Sequence, residues 1–163
     1  SDHHHLHYLT AFKIFRDNII FGAGPKQFRN LCKDDRYLTT SSDIYDTEFI
    51  SKLSTLDKQR LSDLDGCSTH PHHTYMQLLS ETGIIGFLIF FIVYLKLFLM
   101  MFKITKDSKN YNTKMILIFI ILINFSPLMP SGNFFNNYLS LIYFIPISIL
   151  YALIIKEKNV KFN

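Results

Sequence analysis

Long apolar runs and one extended polar block divide this chain. Residues 84–102 and 115–155 hold most of the Leu, Ile, Phe and Val, whereas 29–74 is polar and nearly balanced in charge. A water-soluble domain disperses its apolar residues at helix or strand period, so this partition predicts membrane-spanning segments behind a polar region. Ile84 to Phe102 is the clearest span, about 28 Å long as a helix. Lys96 interrupts it and must reach toward the nearer membrane face or meet a partner. Met115 to Phe125 predicts a shorter span that extends through Leu128 and Met129, with Asn124 packed inside a bundle. Tyr138 to Ile155 predicts a third, kinked at Pro146 and closed by Lys156-Glu157-Lys158.

Ahead of the first span the pattern turns amphipathic. In 8–21, Leu9, Phe12, Phe15 and Ile19 fall at helical spacing opposite Lys13, Arg16 and Asp17, which predicts a helix too short and too charged to span. Gly22-Ala23-Gly24-Pro25 ends it in a tight turn. Residues 29–48 show no period and read as surface loop. Residues 47–64 place Phe49, Leu53, Leu56 and Leu64 near one face of a second amphipathic helix. A third short helix is expected from Thr74 to Thr82, ended or bent by Gly83. The fold class that follows is all-α, a polytopic membrane protein. Its expected parts are a helical loop region over 1–83, about three spans over 84–155 and a tail over 156–163. With no initiator Met and no signal-peptide pattern, the chain is expected to be part of a longer protein.

Charge orients these parts. The net charge of +4 suggests nucleic acid until its distribution is read. The 29–74 block is net negative, while Lys103, Lys106, Lys109 and Lys114 sit beside one end of the spans and Lys156, Lys158 and Lys161 beside another. Positive charge concentrated in short segments flanking membrane spans marks the cytoplasmic side, so no nucleic-acid partner is expected. The polar block and the 127–137 loop then share the opposite, exported side, the periplasm of a Gram-negative cell. Cys32 and Cys67 both fall in the exported block, where a disulfide is allowed but spacing does not decide it.

The candidate chemistry centres on His70-Pro71-His72-His73. A metal site needs three or more convergent ligands, and here Asp63 or Asp65 would have to complete it; none is expected. A base role suits imidazole better, because its pKa near neutrality lets it accept a proton from a sugar hydroxyl. Glu81, on the helix that follows, is a candidate orienter; its alternative is a solvated helix residue. Lys26, Arg29 and Arg36 near the glycine turn could meet a diphosphate, and Gly22 and Gly24 could offer backbone N–H groups. The turn lacks the preceding strand and third glycine of a dinucleotide fingerprint. Ser131 and Asn133 in the second exported loop could line the same cavity as His72, or simply form a turn.

These residues carry a resemblance. His72-His73, then nine residues, then Gly83-Ile84-Ile85-Gly86 resembles the signature of the O-antigen ligase and polymerase superfamily. The string HPHHTYMQLLSETGIIGF, the Gly22-x-Gly24-x-x-x-Phe28 turn and Pro130-Ser131-Gly132-Asn133-Phe134 match its pattern in the same order. The resemblance implies a metal-independent membrane glycosyltransferase without cofactor, in the bacterial inner membrane, with its catalytic loop in the periplasm. Its donor would be an undecaprenyl diphosphate-linked glycan. Its acceptor would be lipid A-core in a ligase, or a growing glycan in a polymerase. The functional histidine maps to His72. Two departures stand out: His73 replaces the usual small amide or hydroxyl residue, and Ser1-Asp2-His3-His4-His5-Leu6-His7 lacks the arginine that usually precedes the amphipathic helix. A non-enzymatic glycan-binding or transport subunit is the reading from another class; it requires that loss of His72 leave function intact.

Overall fold

The computed structural model describes residues 2–104, 109–126 and 131–162, with side chains as far as Glu157. Lys106, Asp107, the extension of the second span through Leu128 and Met129, and Pro130 lie outside the described residues. Among those described, every regular element is helical, and the sole β-type pairing is an isolated Thr40–Asp65 bridge. The all-α expectation holds. Two compact units are present, residues 1–87 with 130–133, and 88–129 with 134–163.

The first unit begins with α1, Asp2–Asp17, which starts earlier than the amphipathic pattern suggested and takes in the whole histidine run. Its buried face is also different. Leu6, His7, Thr10, Ala11 and Ile14 point inward, while Phe12 and Ile19, both assigned to the apolar face, are about half exposed or more. Close packing explains the reversal. Thr39 Oγ1 lies 2.6 Å from Thr10 Oγ1 and donates to the Leu6 carbonyl at 2.8 Å, and a Cβ on Gly66 would overlap both threonine hydroxyls. A bulky phenylalanine stripe cannot enter so narrow a contact, so the small residues go in and the aromatic ones face outward.

Helix α2 (Phe28–Leu31) follows the glycine turn and buries Phe28 completely. With Ala11, Ile14, Cys32 and Tyr37 it forms the apolar centre of this unit. Residues 47–64 form two short helices, α3 (Thr47–Ser51) and α4 (Thr55–Ser62), rather than one. Ser54 interrupts them because it caps α4, accepting the Asp57 N–H at 3.2 Å, as Asp46 caps α3 by accepting from Phe49 at 2.7 Å. The expected apolar face of this stretch is not buried: neither helix has a buried residue, Phe49 stacks on Tyr45, and Leu56 is 70% exposed.

Helix α5, Thr74–Met101, contains the expected break at Gly83, whose φ of 66° and ψ of −169° separate a short helix from the apolar run behind it. This helix and α7 (Asn137–Phe162) are long and apolar enough to cross a membrane, with mean hydropathies of 2.6 and 2.2. Helix α6, Tyr111–Asn124, is apolar but has only 14 residues, about 21 Å. In the second unit Ile118, Ile121, Phe125, Tyr143 and Leu150 pack together, and Lys114, only 2% exposed, pairs with Glu157. Lys96 is exposed and borders an apolar groove of about 410 Å³ with Leu150 and Tyr151. Helix α7 continues through Pro146.

Candidate functional site

The glycine turn and the break in α5 meet back to back. Ala23 N–H donates to the Ser80 carbonyl and Gly24 N–H to the Glu81 carbonyl, both at 2.9 Å. Ile84 N–H donates to the Ile19 carbonyl at 2.8 Å. A Cβ on Gly22 would overlap the backbone of Glu81, Thr82 and Gly83, and one on Gly83 would overlap Ile20 and Gly22. Only two glycines allow main chain to approach main chain this closely, and both have positive φ, 70° and 66°. Gly22 N–H itself donates to Asn18. The N–H groups of Gly22 and Gly24, expected to meet a phosphate, are therefore already engaged inside the protein.

Glu81 reinforces this joint. It is 1% exposed; Oε1 accepts the Phe28 N–H and Oε2 accepts from Gln77 Nε2, each at 3.0 Å. Gln77 Nε2 also donates to Asn133 Oδ1 at 2.8 Å. The carboxylate holds α2 to α5 and makes no bond to His72 or His73, so its orienting role is not the one the geometry displays. The polar residues face inward here and satisfy one another, which a hydropathy pattern cannot reveal.

His70–His73 cross the head of α5. His73 comes just before the helix, and its Nδ1 accepts the Met76 N–H at 3.4 Å, a capping position. Its ring lies against Tyr8 and Tyr75. His72 points elsewhere. Its backbone is left-handed, φ 56°, a strained state for a residue with a bulky side chain. The bend is held from the second exported loop: Ser131 N–H donates to the His72 carbonyl at 2.9 Å, and Thr74 Oγ1 donates to Ser131 Oγ at 2.7 Å. Ser131 thus reaches the histidine segment through its backbone and side chain, whereas Asn133 meets Gln77 on α5.

The His72 ring lies among other imidazoles: 4.1 Å from His70, 5.3 Å from His7 and 5.5 Å from His4, centroid to centroid. His3 stands 4.5 Å from His7. Burial, then the neighbouring His4 and His3, pull the His72 pKa below its ordinary 6.5. Burial, followed by His72, holds His70 down at about 4. Burial also lowers His7, with the Gly66 backbone opposing. His7 Nδ1 and His70 Nε2 are buried without a hydrogen-bond partner among the described residues. His7, His70 and His72 are thereby biased toward the neutral, proton-accepting form. His4 and His7 had a legible signal, since i,i+3 spacing puts them on one helix face. Among the described residues no group of His, Cys, Asp or Glu is arranged to hold a metal ion.

The expected cations separate. Lys26 is exposed on the glycine turn, φ 63°. Arg36 is committed to Asp34, Nη2 to Oδ2 2.7 Å, and lies over the Tyr37 ring. Arg29 borders a cleft of about 670 Å³ with Asn30, Lys33, Asp65, Ser68 and Thr69. A disulfide joins Cys32 to Cys67 across 5.0 Å between Cα atoms, which settles the pairing that spacing left open.

The turn, the short helix broken at glycine and the histidine at its head make one connected arrangement. The O-antigen ligase family model matches residues 5–91, which contain it from α1 through the first turns of the apolar run. Neither a curated protein nor a solved structure matches the chain. Matched over more than half its length by that model, the chain belongs to the O-antigen ligase family.

Proposed function

We propose that the enzyme to which this chain belongs transfers a glycan from undecaprenyl diphosphate to a sugar hydroxyl, with His72 as the base. The observation that carries this reading is the His72 side chain itself. It is turned by a left-handed backbone into a cluster of imidazoles, and its own burial favours the neutral form. The diphosphate is already an activated leaving group, so the protein must position two partners, neutralise charge and accept one proton. The acceptor oxygen attacks the anomeric carbon and its proton passes to the His72 imidazole. The bond from that carbon to the diphosphate breaks, and undecaprenyl diphosphate leaves with the electron pair. Lys26, on the turn bonded to the first residues of the apolar run, is the cation we assign to the lipid diphosphate. Ser131 and Asn133 support the site by holding His72 and Gln77 rather than by touching sugar.

The test is His72→Ala beside His73→Ala in the full-length protein, read as glycan attachment and length at the cell surface. Loss with the first and substantial retention with the second is expected, because His73 acts as a helix cap. Equal, mild effects from both would remove His72 as the base and favour a binding role.

A further inference from the structure

The cleft beside the histidine cluster has a composition that the transfer chemistry does not require. Of the basic residues of this unit, Lys13, Lys52, Arg36 and Arg60 are each ion-paired with a carboxylate, and of those that are not, Arg29 and Lys33 are the two that line the cleft. Arg29, on α2, and Lys33, just beyond its end, both line the cleft and are paired with no carboxylate among the described residues. Asp65, Ser68 and Thr69 line it with them. Charges left unpaired in a concave site, beside neutral donors and acceptors, are available to a ligand.

Resting on the proposed transfer reaction, we infer that this cleft is a subsite for an acidic sugar, one carrying a carboxylate or phosphate, within the glycan being transferred or extended. The volume of about 670 Å³ lies within the range of small-molecule sites and is too large for a lone oxyanion. Asp65, whose Oδ1 accepts the Cys67 N–H at 2.9 Å, can accept from sugar hydroxyls through its other oxygen, and Asn30, Ser68 and Thr69 offer further polar contacts. Arg29 supplies a planar fork for a carboxylate or phosphate, and Lys33 a second positive charge. The segments that carry these residues are fixed to each other covalently, because Cys67 lines the cleft and its partner Cys32 adjoins Lys33. The position suits the reaction. Thr69 Oγ1 is 2.9 Å from His70 Nδ1, and the His70 ring touches His72. A sugar held here is adjacent to the base.

Binding to the full-length protein in lipid nanodiscs tests this with a trigalacturonate probe and its carboxyl-reduced neutral counterpart. The acidic probe should bind at least tenfold more tightly. Arg29→Gln with Lys33→Gln should abolish that preference, and Arg29→Lys with Lys33→Arg should keep most of it. Arg36→Gln should leave it intact, since Arg36 lies outside the cleft. His72→Ala should lose transfer yet retain the preference, so failure of the base assignment and failure of the subsite read differently. Equal binding of the two probes, or a preference surviving the double glutamine variant, would overturn the inference. So would displacement of the acidic probe by pyrophosphate at concentrations that leave neutral glycan in place, because the cleft would then seat the lipid diphosphate.

Discussion

Glu81 Oε1 accepts the backbone N–H of Phe28 at 3.0 Å, with both residues essentially excluded from solvent. The bond spans 53 residues of sequence and ties α2, which carries Arg29, to the short helix that carries His72 at its head. Removing the acceptor strands a buried amide. Glu81→Ala should lower stability by about 2–3 kcal/mol, visible as a reduced thermal midpoint of the full-length protein. Glu81→Gln retains an oxygen for Phe28 and should lose less. Neither variant should shift the pH profile of transfer; a shift would return Glu81 to the role of orienting the base.

The glycines separate by what surrounds them. Gly22→Ala and Gly83→Ala combine a positive-φ penalty of about 1–2 kcal/mol with backbone overlap, and folded protein should largely disappear from size-exclusion profiles. Gly24→Ala keeps the φ penalty, at 101°, but meets only the flexible Gln27 side chain at 3.4 Å. It should yield folded, active protein with a modestly lower midpoint. Equal damage at all three positions would count against the main-chain contact.

The histidines make activity and stability depend on pH in the same direction. A base with a lowered pKa stays neutral further into acid, so the acid limb of kcat/KM should fall below the ordinary 6.5. For stability, the unfolded chain binds more protons than the folded one wherever the folded pKa is depressed. Stability from His7 and His70 is therefore present above 6.5 and is lost as pH falls, down to about 4 for His70. Thermal melts from pH 7.5 to 4 should show this loss, and His70→Gln should flatten it.

Breaking the disulfide should loosen the cleft before it disturbs the base. Cys32→Ser with Cys67→Ser removes a cross-link over 35 residues, a loss of roughly 2–4 kcal/mol. Reductant should lower the wild-type midpoint and leave the double variant unchanged. A wild type insensitive to reductant whose two thiols are already free would show that the bridge does not form.

Much of the architecture was readable from residue patterns. The apolar run behind Gly83 and the spacing from His72 to Gly86 are local features, and both appear where they were expected. What failed was facing. Phe12 looked like the inner side of α1, but Thr10 and Ala11 occupy it because Gly66 approaches so closely, and Ile19 falls in the turn beyond Asp17. Glu81 looked solvated because its partners, Phe28 and Gln77, become neighbours only through the fold. The break between α3 and α4 had a signal in Ser54 and Asp57 that the apolar period concealed. Cys32 and Cys67 carried no distance information at all.

The chain between the bridging cysteines leaves and returns through a narrow neck. Gly66 N–H donates to the Thr39 carbonyl at 2.7 Å, Thr40 pairs with Asp65, and α3 and α4 beyond them bury nothing. Residues 41–64 thus join the rest of the unit at this neck and through the Lys13–Asp43 ion pair, so changes within α3 and α4 should leave the histidines in place.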